Sequence, residues 1–198
     1  MHFPENEILL GKRGDTFPED AGWWKGDYII SYLSPWIIPE YLLNRAQVAS
    51  INFHSGPPEY PGIGCTNFAI YNQESIYGVT CHYMAAKVDT GEIIAVKRFP
   101  LLKTDTVFSL TQKGYSYILT LFYEVASQIY FEHTLPSCGE TWKRKPYKRT
   151  ELNKLCKINQ DMDAEEIKRR IKATSFPNAP GAYIEIEGMR FPYEQNKS

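Results

Sequence analysis

No CxxC pair occurs in the chain, and its four cysteines, Cys65, Cys81, Cys138 and Cys156, stand far apart. That scatter excludes a zinc ribbon or a dithiol redox motif, and no metal site is expected. In a chain of 198 residues it also argues for reduced thiols rather than a disulfide framework. No apolar run approaches the ~20 residues needed to span a bilayer. The opening stretch, MHFPENEILLGKRGDTFPED, lacks the apolar core of a secretory signal. An excess of either charge is missing too. Lys+Arg number 22 against 23 Asp+Glu, a net charge of −1, which disfavours a coat for nucleic acid. Internal repeats and low-complexity tracts are absent. With 43% hydrophobic and 23% charged residues, the expectation is a soluble, cytoplasmic, globular α/β chain with neither membrane nor nucleic acid as partner.

What the chain does have in quantity is aromatic residues, 14% of the total with Tyr at 14 copies. Such rings serve a core as well as a site for flat ligands, so they do not choose between the two. The first 26 residues show no sustained periodicity and read as irregular, with at most one short helix. Asp27 to Leu33 is a compact β-rich apolar run, the pattern of a strand in a parallel sheet. Pro39 followed by Glu40 to Ala46 suits a short helix. Ala49 to His54 reads as the next strand, so residues 27–54 form a βαβ unit.

A loop follows, Ser55-Gly-Pro-Pro-Glu-Tyr-Pro-Gly-Ile-Gly64, with six Gly or Pro in ten positions. Its backbone shape is largely predetermined, and rigid loops at strand ends commonly carry sites. Residues 65–71 suit a helix, and Tyr77–Ala86 and Glu92–Phe99 suit two strands joined by a turn around Asp89-Thr-Gly91. From Thr106 the period changes. Val107, Leu110, Gly114, Ile118, Leu121, Val125 and Ile129 mark one long amphipathic helix capped by Asp105 or Thr106. Pro136 to Pro146 reads as a linker with basic residues around Lys145. These are expected to be solvated, with contact to a diphosphate as the alternative. Asp163 and Glu166 form a capping-box pattern for a helix to about Ala173. Residues 182–186 and 189–193 flank Glu187-Gly188, the spacing of a two-residue hairpin.

The chemistry concentrates in two stretches, INFHSGPPEYPGIG (51–64) and HYMAAKVDTGEII (82–94). Asn52 and His54 are two apart on a strand, so they project from one face, at the carboxyl end where open α/β sheets bind ligands. Asp89 lies in a turn that can return to that edge. An amide and an imidazole can stabilise an oxyanion and a carboxylate can tune the imidazole, which together suit acyl transfer. His82 reads mainly as a strand residue, with support of Asp89 as its functional alternative.

These same stretches, Asn-x-His on a strand and H-x6-D-x-G, resemble the formyltransferases that use N10-formyltetrahydrofolate. The likeness runs from about Gly22 to Tyr193. GDYIISYLSPWIIPEYLL, GPPEYPGIG and RRIKATSFPNAPGAYIEIEGMRF look most like the nucleotide-sugar N-formyltransferases. The resemblance implies a partial Rossmann-like sheet lacking its first strands, then a long helix, and last a small helix plus β-hairpin. It implies an N-terminal segment at 1–26, a catalytic domain at 27–135 and a C-terminal appendage at 136–198. Asn52, His54 and Asp89 match the catalytic trio. Leu33, Ser34, Trp36 and Ile38 match the loop facing the pteridine, and Gly91 borders that pocket. The implied donor is N10-formyltetrahydrofolate, the acceptor a nucleotide-linked 4-amino or 3-amino deoxy sugar, and the assembly a homodimer through the hairpin. The rival readings are a methionyl-tRNA formyltransferase-like enzyme and a truncated non-catalytic homologue that binds folate or a partner. Ser55 stands where the family usually has proline, and only 26 residues precede Asp27.

Overall fold

The computed structural model describes residues 5–194. Four strands form the main sheet: β1 (Gly26–Tyr32), β2 (Ala46–His54), β3 (Ile76–Tyr83) and β4 (Ile93–Pro100), in the order β1-β2-β3-β4. The β1–β2 pair is parallel, as a βαβ unit requires, with the short α1 (Glu40–Leu43) in the crossover. β3 and β4 are each antiparallel to the preceding strand: the Gly/Pro loop and a helix carry the chain from β2 back into β3, and the loop at 84–92 returns it into β4. β1 has no strand on its outer side among the described residues, and most of it is only half-buried.

Alternation sorts the two faces. Ile51 and Phe53 on β2, with Tyr77, Val79 and Cys81 on β3, are buried on one face. Against the sheet lies α3 (Val107–Glu132), whose buried positions are the seven read from periodicity plus Ala126. Phe122 of α3 meets Phe53 edge-on at 5.3 Å between ring centroids. Thr106, not Asp105, caps this helix. Its hydroxyl accepts from the Ser109 amide at 3.1 Å, and the Ser109 hydroxyl accepts from the Thr106 amide at 3.0 Å. Asp105 instead receives Lys113 Nζ at 2.7 Å and the Leu102 amide at 2.8 Å.

α2 (Cys65–Tyr71) connects the Gly/Pro loop to β3 and packs on α5 (Ala164–Thr174). Two elements were not read from sequence: α4 (Arg149–Cys156) and β5 (Lys157–Ile158). β5 pairs in parallel with β6 (Tyr183–Ile186), which forms the expected hairpin with β7 (Met189–Pro192). Glu187 and Gly188 both have left-handed backbone, as a type I′ turn demands. Leu155 and Ala173 share the hydrophobic cluster of the main sheet, so the C-terminal elements pack into the same core. The anticipated start of α5 forms by half. Asp163 accepts the Glu166 amide at 2.8 Å, but the Glu166 carboxylate turns to Tyr71, Arg169 and Arg170.

Candidate active site

Register builds the site. Asn52 is directly opposite His82 across the β2–β3 ladder, and His54 is opposite Thr80. Directly opposed residues share a face, so all four side chains lie on the face away from α3. Asn52 Nδ2 lies 3.1 Å from His82 Nε2. After Tyr83 the chain folds back and delivers Asp89, in left-handed backbone, between the two histidines. His54 Nδ1 is 3.3 Å from one Asp89 oxygen and His82 Nε2 is 3.3 Å from the other. Sequence placed Asn52, His54 and Asp89 together, and the structure brings them together with His82 as a fourth member.

Each imidazole is also held by a main-chain carbonyl. His54 Nε2 faces Tyr60 O at 3.1 Å, and His82 Nδ1 faces Tyr83 O at 2.7 Å. A carbonyl only accepts, so these nitrogens carry hydrogen. Both nitrogens of His54 therefore face acceptors, an arrangement suited to the imidazolium. His82 Nε2 lies within reach of both the Asn52 side-chain amide and an Asp89 oxygen, and so ties the two together. Asp89 is 5% exposed. Burial pushes its carboxyl up, but the neighbouring His54 charge, the His82 hydrogen bond and the Gly62 amide at 2.8 Å outweigh that, and the net shift is downward.

The Gly/Pro loop is clamped from several sides. Tyr77 and Thr80 donate to Ser55 O at 2.9 Å and to Gly56 O at 2.8 Å. Gly62 has a positive φ of 88°, and a Cβ there would run into the main chain of Tyr147. That contact belongs to the 136–146 linker and its continuation. Lys143 N donates to Pro58 O, Tyr147 N to Pro61 O and Ile63 N to Tyr147 O, at 2.9–3.0 Å. The linker is thus the outer wall of the site.

Trp142 sits in that wall and was not singled out from sequence. Its ring stands edge-on to His54 and His82, with centroids 5.9 and 5.1 Å away. Its Nε1 donates to Gly91 O at 2.8 Å. A lone tryptophan in an otherwise basic, Gly/Pro-bounded linker was the available signal. The linker's basic residues are partly committed: Arg144 stacks 3.1 Å over the Tyr147 ring and pairs with Glu151 at 2.9 Å.

The proposed donor loop starts where β1 ends. Tyr32 is level with Phe53, so Leu33, exposed and in left-handed backbone, begins the loop beside His54. Ser34 Oγ accepts the Trp36 amide at 3.1 Å and shapes the turn, and Ile38 is half-buried. Trp36 faces the N-terminal segment: it meets Phe17 edge-on at 5.9 Å and donates from Nε1 to Asp15 O at 3.1 Å. Gly91 lies against Tyr83, whose carbonyl a Cβ would strike. Among the described residues no His/Cys/Asp/Glu group is arranged to hold a metal.

An amide, two imidazoles and a buried carboxylate thus meet at the carboxyl end of β2 in this α/β fold, beside a strand-end loop. Comparison with known proteins makes this specific. Residues 24–124 match the formyl transferase family model, and the chain belongs to that family. It is 31% identical over 175 residues to a GDP-perosamine N-formyltransferase of Brucella melitensis, covering 88% of this chain and 66% of that protein. It is 29% identical over 166 residues to a methionyl-tRNA formyltransferase of Lactobacillus johnsonii, covering 83% of this chain and 52% of that one. A solved N-formyltransferase of Helicobacter canadensis, in complex with folinic acid and dTDP-3-aminofucose, superposes with a TM-score of 0.66. That pair is 25% identical, covering 88% of this chain and 64% of the other. The chain therefore spans about two-thirds of the length of the sugar-modifying relatives and about half of the tRNA-modifying one.

Proposed function

We propose that the chain transfers a formyl group from N10-formyltetrahydrofolate to the amine of a nucleotide-linked amino sugar. The observation that carries this reading is the Asn52–His54–Asp89 cluster, interlocked with His82 on one face of the sheet. The donor set fits a formyl carrier: N–H-bearing groups and one ionised carboxylate lie at a strand end, beside a loop that begins at the exposed Leu33. The carrier, when bound, supplies an activated formyl carbon.

Around that carbon the chain's residues divide the labour. The Asn52 amide donates to the oxyanion that forms as the sugar amine attacks, with His54, held between Asp89 and Tyr60 O, beside it on the same face of the sheet. Asp89 orients His54 and, being buried and ionised, takes part in removing the amine proton. A new C–N bond forms, the carrier's C–N bond breaks, and tetrahydrofolate leaves with a proton. Leu33, Ser34, Trp36, Ile38 and Gly91 border the carrier. In this reading residues 27–135 are the catalytic domain, the chain works in the cytoplasm, and residues 136–198 wall the site.

We place a second copy of the chain on the hairpin. Ile184 opposes Phe191 and Ile186 opposes Met189, and all four are exposed on one face. Such a face is self-complementary about a two-fold axis. The test of function is incubation with the folate donor and a panel of nucleotide-linked 3-amino and 4-amino sugars, followed by mass spectrometry. A product heavier by one formyl group is expected. Formylation of methionyl-tRNA alone would establish the rival reading. Folate binding without turnover of any sugar would establish a non-catalytic one.

A further inference from the structure

The loop at 84–92 is mostly exposed, yet it delivers one buried carboxylate, Asp89, in left-handed backbone with a φ of 49°. That conformation is costly for a residue with a side chain and persists only where neighbours hold it. The start of the loop is tied by Met84 N to Ser50 O at 2.8 Å. Within it, Thr90 Oγ1 donates to Lys87 O at 2.8 Å. Beyond Asp89 the tie comes from a later part of the chain: Gly91 O accepts Trp142 Nε1 at 2.8 Å.

The same indole closes a circuit of contacts around the site. Its ring stands edge-on to His54 and His82, a favourable geometry for aromatic pairs at 5.9 and 5.1 Å between centroids. Gly91 lies against Tyr83 O, which accepts from His82 Nδ1 at 2.7 Å. His82 Nε2 and His54 Nδ1 each lie 3.3 Å from an Asp89 oxygen. Contacts thus run from the indole through Gly91, Tyr83, His82, Asp89 and His54 and return to the indole. Trp142 is the one member of this circuit from beyond α3. Its own segment is pinned on both sides. Glu140 receives Arg98 Nη2 at 2.6 Å, and the same guanidinium forks onto Glu59 of the Gly/Pro loop at 3.0 and 3.1 Å. Lys143 N donates to Pro58 O at 3.0 Å. The residues flanking Trp142 are therefore fastened to the loop that follows His54.

We propose that Trp142 is a positioning residue for the transfer step: its N–H fixes the Asp89 turn, and its ring fixes the orientation of both imidazoles. It acts through Asp89, His54 and His82 and not on the reacting atoms. The kinetic part of its test rests on the formyl-transfer reading, and the structural part does not.

The kinetic part compares Trp142→Phe, which keeps a ring but loses the donor, with Trp142→Leu, which loses both. With the acceptor found in the sugar panel, kcat is expected to fall about three- to tenfold in Trp142→Phe, the worth of one hydrogen bond. In Trp142→Leu the loss is about 10–100-fold, because the aromatic contacts go too. KM for the folate donor should change by less than about twofold. Trp23→Phe, at an exposed indole beside Arg45, leaves both constants unchanged. A merely structural indole would lower Tm and leave kcat intact well below it.

The structural part is NMR of the histidine side chains, of which the sequence has four. The His54 and His82 signals, assigned by their loss in His54→Asn and His82→Asn, are expected to shift in Trp142→Phe. In Trp142→Leu they should broaden as well, since the rings no longer keep one orientation, while the His133 signal stays as it is. The proposal is overturned if Trp142→Leu, shown folded by circular dichroism, keeps the parental kcat or loses activity wholly through KM. It is equally overturned if the His54 and His82 signals of that variant stay as sharp as the parent's. Should Trp142→Leu not fold, parental kcat or unmoved imidazole signals in Trp142→Phe overturn it instead. Absence of transfer by the parent would count against the proposed function alone, and the imidazole signals would then decide the role of Trp142.

Discussion

Asp89 concentrates the chemistry of the site into one side chain, since both imidazoles and the Gly62 amide converge on its two oxygens. Asp89→Asn keeps the shape and removes the charge. Formyl transfer is expected to fall by about two to four orders of magnitude, the usual cost of an acid–base or oxyanion group, and His54→Asn to match it. Folate affinity, measured by equilibrium dialysis, should change little, because neither residue lies in the loop assigned to the carrier. The carboxyl is held below its ordinary value in the folded chain, so its stabilisation is complete above about pH 4 and is lost as pH falls further. The parent should therefore lose more stability than Asp89→Asn between about pH 5 and 3, read from urea midpoints. Gly91 is a different kind of residue: a Cβ there strikes the Tyr83 carbonyl, which His82 Nδ1 holds at 2.7 Å. Gly91→Ala should cost about 1–3 kcal/mol, or roughly 3–10 °C in Tm. Asn52 and His54 were legible because spacing along a strand fixes a shared face, and Asp89 because its turn can return to that strand edge. Trp142 was not, because its role comes from a long-range contact that no local pattern encodes.

At the scale of elements, legibility followed periodicity. α3 was readable from end to end because its buried stripe recurs over seven turns, and the hairpin because Glu187-Gly188 fits only one turn type. α4 was missed because a single residue, Leu155, is buried on eight positions, leaving no stripe to read. β5 is two residues long and owes its existence to pairing with β6, a tertiary effect. The helix α5 was legible but the duty of Glu166 was not. Its carboxylate receives Tyr71 Oη at 2.7 Å and Arg170 Nε at 2.6 Å, and ties α5 to α2. Burial alone would raise it, yet Arg169, Arg170 and Tyr71 hold it down at about 2. A depressed carboxyl stabilises above its unfolded value near 4.5 and ceases to as pH falls toward 2. Glu166→Gln is thus expected to lower Tm by several degrees at pH 7 and by only a fraction of that at about pH 2.5. Equal losses at both pH values would assign the effect to packing instead of charge.

At the scale of the whole molecule, two apolar surfaces lie open among the described residues. One is the hairpin face. The other flanks β1, where Leu119 and Tyr123 of α3 are exposed next to Phe122, itself 5.4 Å from the Tyr32 ring. A parallel strand such as β1, with Tyr28, Ile29 and Ile30 half-buried, ordinarily has neighbours on both sides and helices on both faces. Here its outer edge offers unpaired main-chain groups beside an apolar helix face, the combination that invites association. Dimerisation through the hairpin would cover Ile184, Ile186, Met189 and Phe191 but would leave β1 as it is. The weak point is therefore the β1 edge. A chain extended at its N-terminus by a βαβ unit of a sugar N-formyltransferase, positioned to pair with β1, is expected to melt higher than the 198-residue chain. It should also transfer formyl faster, because β1 leads directly into the loop at Leu33. Thermal melts and formyl-transfer assays on the two chains at matched concentration decide the matter, with Ile186→Glu/Phe191→Glu in both backgrounds to separate the hairpin's contribution. If the shorter chain melts cooperatively in the ordinary range of about 45–65 °C and matches the longer one in rate, the edge argument fails. Residues 5–25, whose Phe17 already meets Trp36 in the loop after β1, would then be the cap that closes the sheet.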